Sequence, residues 1–138
     1  MKGCVIFIAI VICSLNLKAQ VKTRKLSNDT TVYTAVEVEP MPQGGMDKFF
    51  TVLMNKMVVS KDCFNAGYIG GRLVIALIVE KNGTLSNVHV INQVPECIKD
   101  EVKRIMKLTP AWVPGMQNGK PVRVSYTIPI ACIMLGDQ

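Results

Sequence analysis

At 138 residues, a formal charge of +6 and 49% hydrophobic residues, the chain has room for one globular domain and no more. The basic excess is thinly spread, without the block of about five like charges that marks a binding tail, so nucleic acid is excluded as a partner. A single histidine, His89, and the lack of a glycine-rich phosphate loop leave nothing from which to assemble an active site, and the chain reads as a non-enzyme.

Residues 1–19 have the form of a secretory signal, with Met1-Lys2 as a positive start, an apolar stretch over 5–17, and Leu17-Lys18-Ala19 as a cleavage site. An uncleaved anchor is the alternative, but a span needs about twenty apolar residues and this run is broken at Ser14, Asn16 and Lys18. Cleavage removes Lys2 and Lys18 and leaves a charge of +4. It also removes Cys4 and Cys13, leaving Cys63, Cys97 and Cys132 at spacings of 34 and 35 that fit no zinc or thioredoxin-like pattern. No metal and no cofactor are therefore expected. Two readings of the thiols stand: a Cys63–Cys97 disulfide with Cys132 free, or three buried small hydrophobes.

Residues 20–35 are polar and predict a flexible segment leading into a domain over 36–135. Residues 32–38 alternate as a short extended stretch does, and Pro40 and Pro42 end it. After Gly44-Gly45, read as backbone geometry and not as a phosphate loop, Met46, Phe49, Phe50, Leu53, Met54 and Met57 recur at helical spacing and predict an amphipathic helix. Residues 60–66 fit a short helical turn closed by Gly67. Seven consecutive apolar residues, 73–79, then predict a central strand buried on both faces. Asn82-Gly83 predicts a type I′ hairpin into a strand over 85–93, with Val88 and Val90 inward and His89 exposed. Pro95 is placed as the first residue of a second helix carrying Ile98, Val102, Ile105 and Met106 on its apolar stripe.

The stretch 110–133 carries the functional reading. Pro110, Pro114, Gly115, Asn118, Gly119 and Pro121 forbid a helix, and Gln117, Asn118 and Gly119 form a turn that presents the last strand. In that strand Val122, Val124, Tyr126, Ile128 and Ile130 share one face and Arg123, Ser125 and Thr127 the other. Pro129 interrupts it, and because proline has no N–H for a ladder it places the strand at a sheet edge. The fold class is α+β, with two helices packed on one face of a small three-stranded antiparallel sheet.

At Pro42-Gln43-Gly44-Gly45, Asn82-Gly83, Trp112-Val113-Pro114-Gly115, Asn118-Gly119-Lys120-Pro121-Val122 and Tyr126-Thr127-Ile128-Pro129-Ile130 the chain resembles the TonB C-terminal domain family, over residues 36–134. The resemblance implies a periplasmic domain that recognises an extended peptide of an outer-membrane TonB-dependent transporter by adding it to the sheet. That fits the edge strand, which offers main-chain hydrogen bonds for affinity. The docking residues would be Val122, Arg123, Val124, Ser125, Tyr126, Thr127, Ile128, Pro129 and Ile130, with Arg123 and Tyr126 as side-chain contacts and core packing the alternative for Tyr126. Trp112 reads as a hydrophobic anchor. Full-length family members resemble a membrane helix with a functional histidine and a proline-rich spacer before this domain. Here the leader has no histidine and no such spacer follows it. The usual tyrosine-proline pair after the first helix is replaced by Val58-Val59-Ser60-Lys61. A stand-alone periplasmic peptide-binding module is the expectation. The alternatives are a minimal anchored transducer working with an inner-membrane energising complex, and a strand-paired homodimer.

Overall fold

The computed structural model describes residues 30–68 and 70–133, so the signal read at 1–19 lies outside the described residues. In chain order the elements are β1 (Val32–Tyr33), β2 (Met41–Pro42), α1 (Gly45–Lys56), α2 (Lys61–Asn65), β3 (Gly70–Val79), β4 (Leu85–Val90), α3 (Glu96–Met106), β5 (Trp112–Val113), β6 (Gly115–Gln117) and β7 (Lys120–Ile133). The main sheet runs β1-β7-β3-β4, with β6 also on β7, and β2 pairs with β5 in a separate two-stranded ladder.

The expected three-stranded antiparallel sheet is present as the β7-β3-β4 centre, but the whole is a mixed five-stranded sheet with three helices. The physical reason is length. β7 has 14 residues against 10 in β3, and its overhang takes β6 through Gly115↔Val122, Met116↔Pro121 and Gln117↔Lys120. The extended stretch read at 32–38 is shared between two partners. Val32 and Tyr33 run parallel to Arg123 and Val124, the chain bends, and Val38 bridges Met116. The sheet therefore begins at Val32, inside the segment expected to be flexible.

Burial explains the face choice in β3. Leu73, Ile75, Leu77 and Val79 are at most 1% exposed, each contributing roughly 1.5–3 kcal/mol relative to exposure. Val74, Ala76 and Ile78 are only half-buried, so the expectation of burial on both faces is corrected. The buried face packs on Phe49 and Leu53 of α1 and on Ile98, Val102, Ile105 and Met106 of α3. In α3 the buried four fall at helical spacing, while Glu96–Lys99 (2.8 Å) and Asp100–Lys103 (3.4 Å) pair on the outer side. Pro95 is the residue just ahead of the helix and not its first.

Two turns differ in kind. At the β3–β4 hairpin only Gly83 has positive φ (81°), Gly83 N–H donates to Glu80 O at 2.8 Å, and Glu80 N–H to Thr84 O at 2.8 Å. This is a three-residue loop with a left-handed glycine, so the expected type I′ turn at Asn82-Gly83 is corrected. Gly83 is also required sterically, since a Cβ there would lie 1.9 Å from the Trp112 carbonyl oxygen. The type I′ geometry occurs instead at Asn118 (φ 50°) and Gly119 (φ 68°), the turn between β6 and β7.

Cys63 of α2 and Cys97 of α3 are joined by a disulfide with Cα atoms 5.9 Å apart, tying a five-residue helix to the core. Glu101 and Arg104 of α3 clamp the exit of α1. Val58 N–H donates to Glu101 Oε1 at 2.6 Å, and Arg104 Nη2 donates to Lys56 O at 2.7 Å.

Candidate functional site

Strand β7 pairs with β3 without interruption from Val124 to Ile133, so the expected break at Pro129 is corrected. The reason lies in which way the main chain points. Val74, the partner of Pro129, accepts from Ile91 N–H at 2.9 Å and donates to Asn92 Oδ1 at 2.8 Å. Both of its main-chain groups thus face β4. In an antiparallel ladder opposed residues either exchange both bonds or point away from each other. The nitrogen of Pro129 therefore points away from β3, and its missing N–H removes no bond from the ladder.

The same parity fixes the rest of β7. Residues 124, 126, 128 and 130 bond to β3, whereas 125, 127, 129 and 131 turn their N–H and C=O groups to the far margin. On that margin β1 occupies the start. A residue in a parallel ladder bonds to the two neighbours of its partner, so Tyr33, paired with Val124, reaches Arg123 and the N–H of Ser125. Beyond that point no strand among the described residues pairs the far margin of β7. Of the nine residues read as a docking edge, Val122 is paired with Gly115 and Arg123 and Val124 with β1. The free portion begins at the carbonyl of Ser125.

Side chains divide by the same alternation. Val122, Val124, Ile128 and Ile130 are buried, and Tyr126 packs edge-on against Trp112 with centroids 5.6 Å apart. Trp112 in turn meets Phe49 at 5.4 Å. Tyr126 thus belongs to the covered face, and Trp112, 2% exposed, is the hydrophobic anchor the sequence indicated. Ser125, Thr127 and Pro129 are exposed.

Arg123 is committed internally. Its Nε and Nη2 donate to Glu80 Oε2 and Oε1 at 2.8 and 3.0 Å, and its Nη1 donates to Thr30 O at 2.8 Å. It therefore ties β7 to the residue that follows β3 and pins the segment that enters β1. The Arg123 guanidinium holds the Glu80 carboxyl below its ordinary value, against the opposing effect of burial and helped by the Ser86 hydroxyl. The presenting turn is clasped from outside. The Glu37 carboxylate accepts from Asn118 N–H at 3.0 Å and from Gln117 Nε2 at 3.2 Å, and Gln117 Oε1 accepts from Glu37 N–H at 3.1 Å. No pattern in the sequence signalled either pairing, since the partners are 43 and 80 or more residues apart.

A cleft of about 500 Å³ between the start of β4 and the end of α3 is lined by Lys103, Lys107, Thr84 and Thr109, with no acid among its lining residues. Among the described residues no group of three His, Cys, Asp or Glu side chains could hold a metal, and no helix is long and apolar enough to cross a membrane.

The described residues form a small α+β domain with a three-stranded antiparallel centre, helices on its buried face, and a margin of the last strand that beyond Ser125 no described strand pairs. Residues 66–131 match the family described as Gram-negative bacterial TonB protein C-terminal. Among solved structures, the solution structure of the Helicobacter pylori TonB C-terminal domain is similar at 14% identity, covering 64% of this chain and 81% of that one, with a TM-score of 0.41. No curated protein matches the chain.

Proposed function

We propose that the domain works in the periplasm as a peptide-binding module of TonB-type transport. It takes up an extended segment of an outer-membrane transporter by adding it as a strand to the far margin of β7. The observation that carries this is the row of outward main-chain groups from Ser125 to Ala131, unpaired by any described strand and backed by a packed core. An edge of this kind supplies affinity through backbone bonds and asks little of peptide side chains. The match of residues 66–131 to the TonB C-terminal family supports a transporter as the source of the peptide, and a Cys63–Cys97 disulfide supports an oxidising compartment.

The test is isothermal titration of residues 20–138 with synthetic peptides from the N-terminal segments of outer-membrane transporters. Binding should survive exchange of peptide side chains and disappear when a proline replaces a residue whose N–H joins the ladder. Absence of binding to every such peptide would sink the reading.

A further inference from the structure

Resting on that docking reading, we infer that Pro129 makes the free margin of β7 rich in acceptors and poor in donors, and so selects what can lie along it. The count of outward groups gives this directly. Ser125 offers its C=O only, because its N–H is taken by Tyr33. Thr127 offers both groups. Pro129 offers its C=O only, because it has no N–H. Between residues 125 and 129 there are thus three carbonyls and the single N–H of Thr127. The next donor is Ala131, six residues beyond the end of the β1 contact at Ser125.

A strand laid here is held chiefly by its own N–H groups. Its segment must be free of proline at the alternate positions that meet Ser125, Thr127 and Pro129, whereas its carbonyls need only one partner. A short extended peptide meets that demand, since its spare carbonyls stay in water at the exposed rim. A second β7 meets it badly. Antiparallel self-pairing sets one acceptor-rich margin against another, and each copy brings a proline that can donate nothing. Pro129 therefore favours a donor-supplying peptide over self-association along the same edge, while its nitrogen, turned away from β3, leaves the internal ladder whole.

Two substitutions test this. Pro129→Thr adds an outward donor without touching the β3 ladder, and Thr127→Pro removes the one outward donor upstream. By the worth of one hydrogen bond, Pro129→Thr should tighten an eight-residue peptide about fivefold and Thr127→Pro should weaken it by a similar factor. Peptides carrying a backbone ester in place of one N–H should lose affinity at the three positions facing carbonyls in the parent protein. Sedimentation gives a readout that needs no peptide: Pro129→Thr should dimerise at a concentration at least about tenfold below that of the parent, by the same bond count over two copies. Circular dichroism and thermal melting verify that each variant folds. If the parent binds peptide but Pro129→Thr changes neither affinity nor association, the role of Pro129 is wrong while docking stands. If the parent binds no peptide, docking is wrong, and the sedimentation result alone upholds or overturns the role of Pro129.

Discussion

The sheet has two margins, and they are built to opposite ends. β4 closes one side with six residues and a register shift, because Leu77 of β3 is opposed by both Asn87 and Val88. Asn87 takes a left-handed conformation (φ 49°) to fit the extra residue. On the other side β7 makes ten consecutive regular pairs to β3, and β1 covers only the start of its outer margin. A bulge twists a margin and scatters its donors and acceptors, which discourages strand addition, whereas a regular margin presents them in line. Being unpaired does not by itself make an edge a binding site. Under the docking proposed above, regularity is what suits a margin to an added strand, and of these two margins β7 has it.

The harshest way to break this contrast is to loosen the backing of the regular margin. Ile128 is 1% exposed and lies between two residues whose side chains are exposed. Ile128→Ala should lower stability by about 2–5 kcal/mol, the usual range for a buried branched side chain cut to a methyl. Thr127→Ala, one position away, should change it by no more than about 0.5 kcal/mol. Urea unfolding measures both, and equal effects would show that the alternation along β7 is misassigned.

The alternation along β7, the central place of β3, the stripe of α3, that of α1 apart from the exposed Met54, and the turn at Asn118-Gly119 were legible because each is a local pattern of period two, of period 3.6, or of turn chemistry. What could not be read was non-local. Arg123 shows an unremarkable cation in a strand, and nothing nearby reveals that its partner is Glu80, brought beside it by the β3–β7 register. Val32 and Tyr33 form a two-residue strand too short to have a period, yet they decide where the free margin starts. Pro129 was readable as an edge signal, but which of its sides faces the edge required the parity of Val74.

A middling effect should come from the bond that fixes that starting point. Arg123→Ala leaves Glu80 half-buried without its main partner and releases the Thr30 carbonyl, and should cost about 1.5–3 kcal/mol, the range for a charged hydrogen bond. It should also expose more of the margin by freeing β1, seen as faster amide exchange at Ser125. The acid side carries a signature. Glu80 and Glu101 titrate below their ordinary value of 4.5 in the fold, mainly through Arg123 and Arg104 respectively. The unfolded chain then binds more protons between the two values, so their stabilisation is complete above about pH 4.5 and is lost as pH falls through the lowered folded values. Arg123→Ala should flatten part of that acid-side loss. An unchanged pH profile of unfolding would show that Glu80 is not held by Arg123 in solution.

The smallest change should come from removing what makes β4 irregular. In a regular strand Leu85 would lie opposite in face to Val88 and Val90, yet all three pack against the core. The extra residue at Asn87 is what reconciles them. Deleting it leaves Leu85-Ser86-Val88-His89-Val90, a strict alternation that keeps the pairs Ile78↔Ser86 and Ala76↔His89 on either side of Leu77. The deletion should therefore shift stability by only about 1 kcal/mol, whereas Asn87→Val, which keeps the bulge but places a branched residue at positive φ, should be destabilising by about 1–2 kcal/mol. With its bulge gone, β4 becomes a second regular margin. Peptide titration of the deletion variant should then show a second, weaker site. A single site of unchanged affinity would mean that the bulge is not what keeps β4 closed to added strands, and that the difference between the two margins lies in length alone.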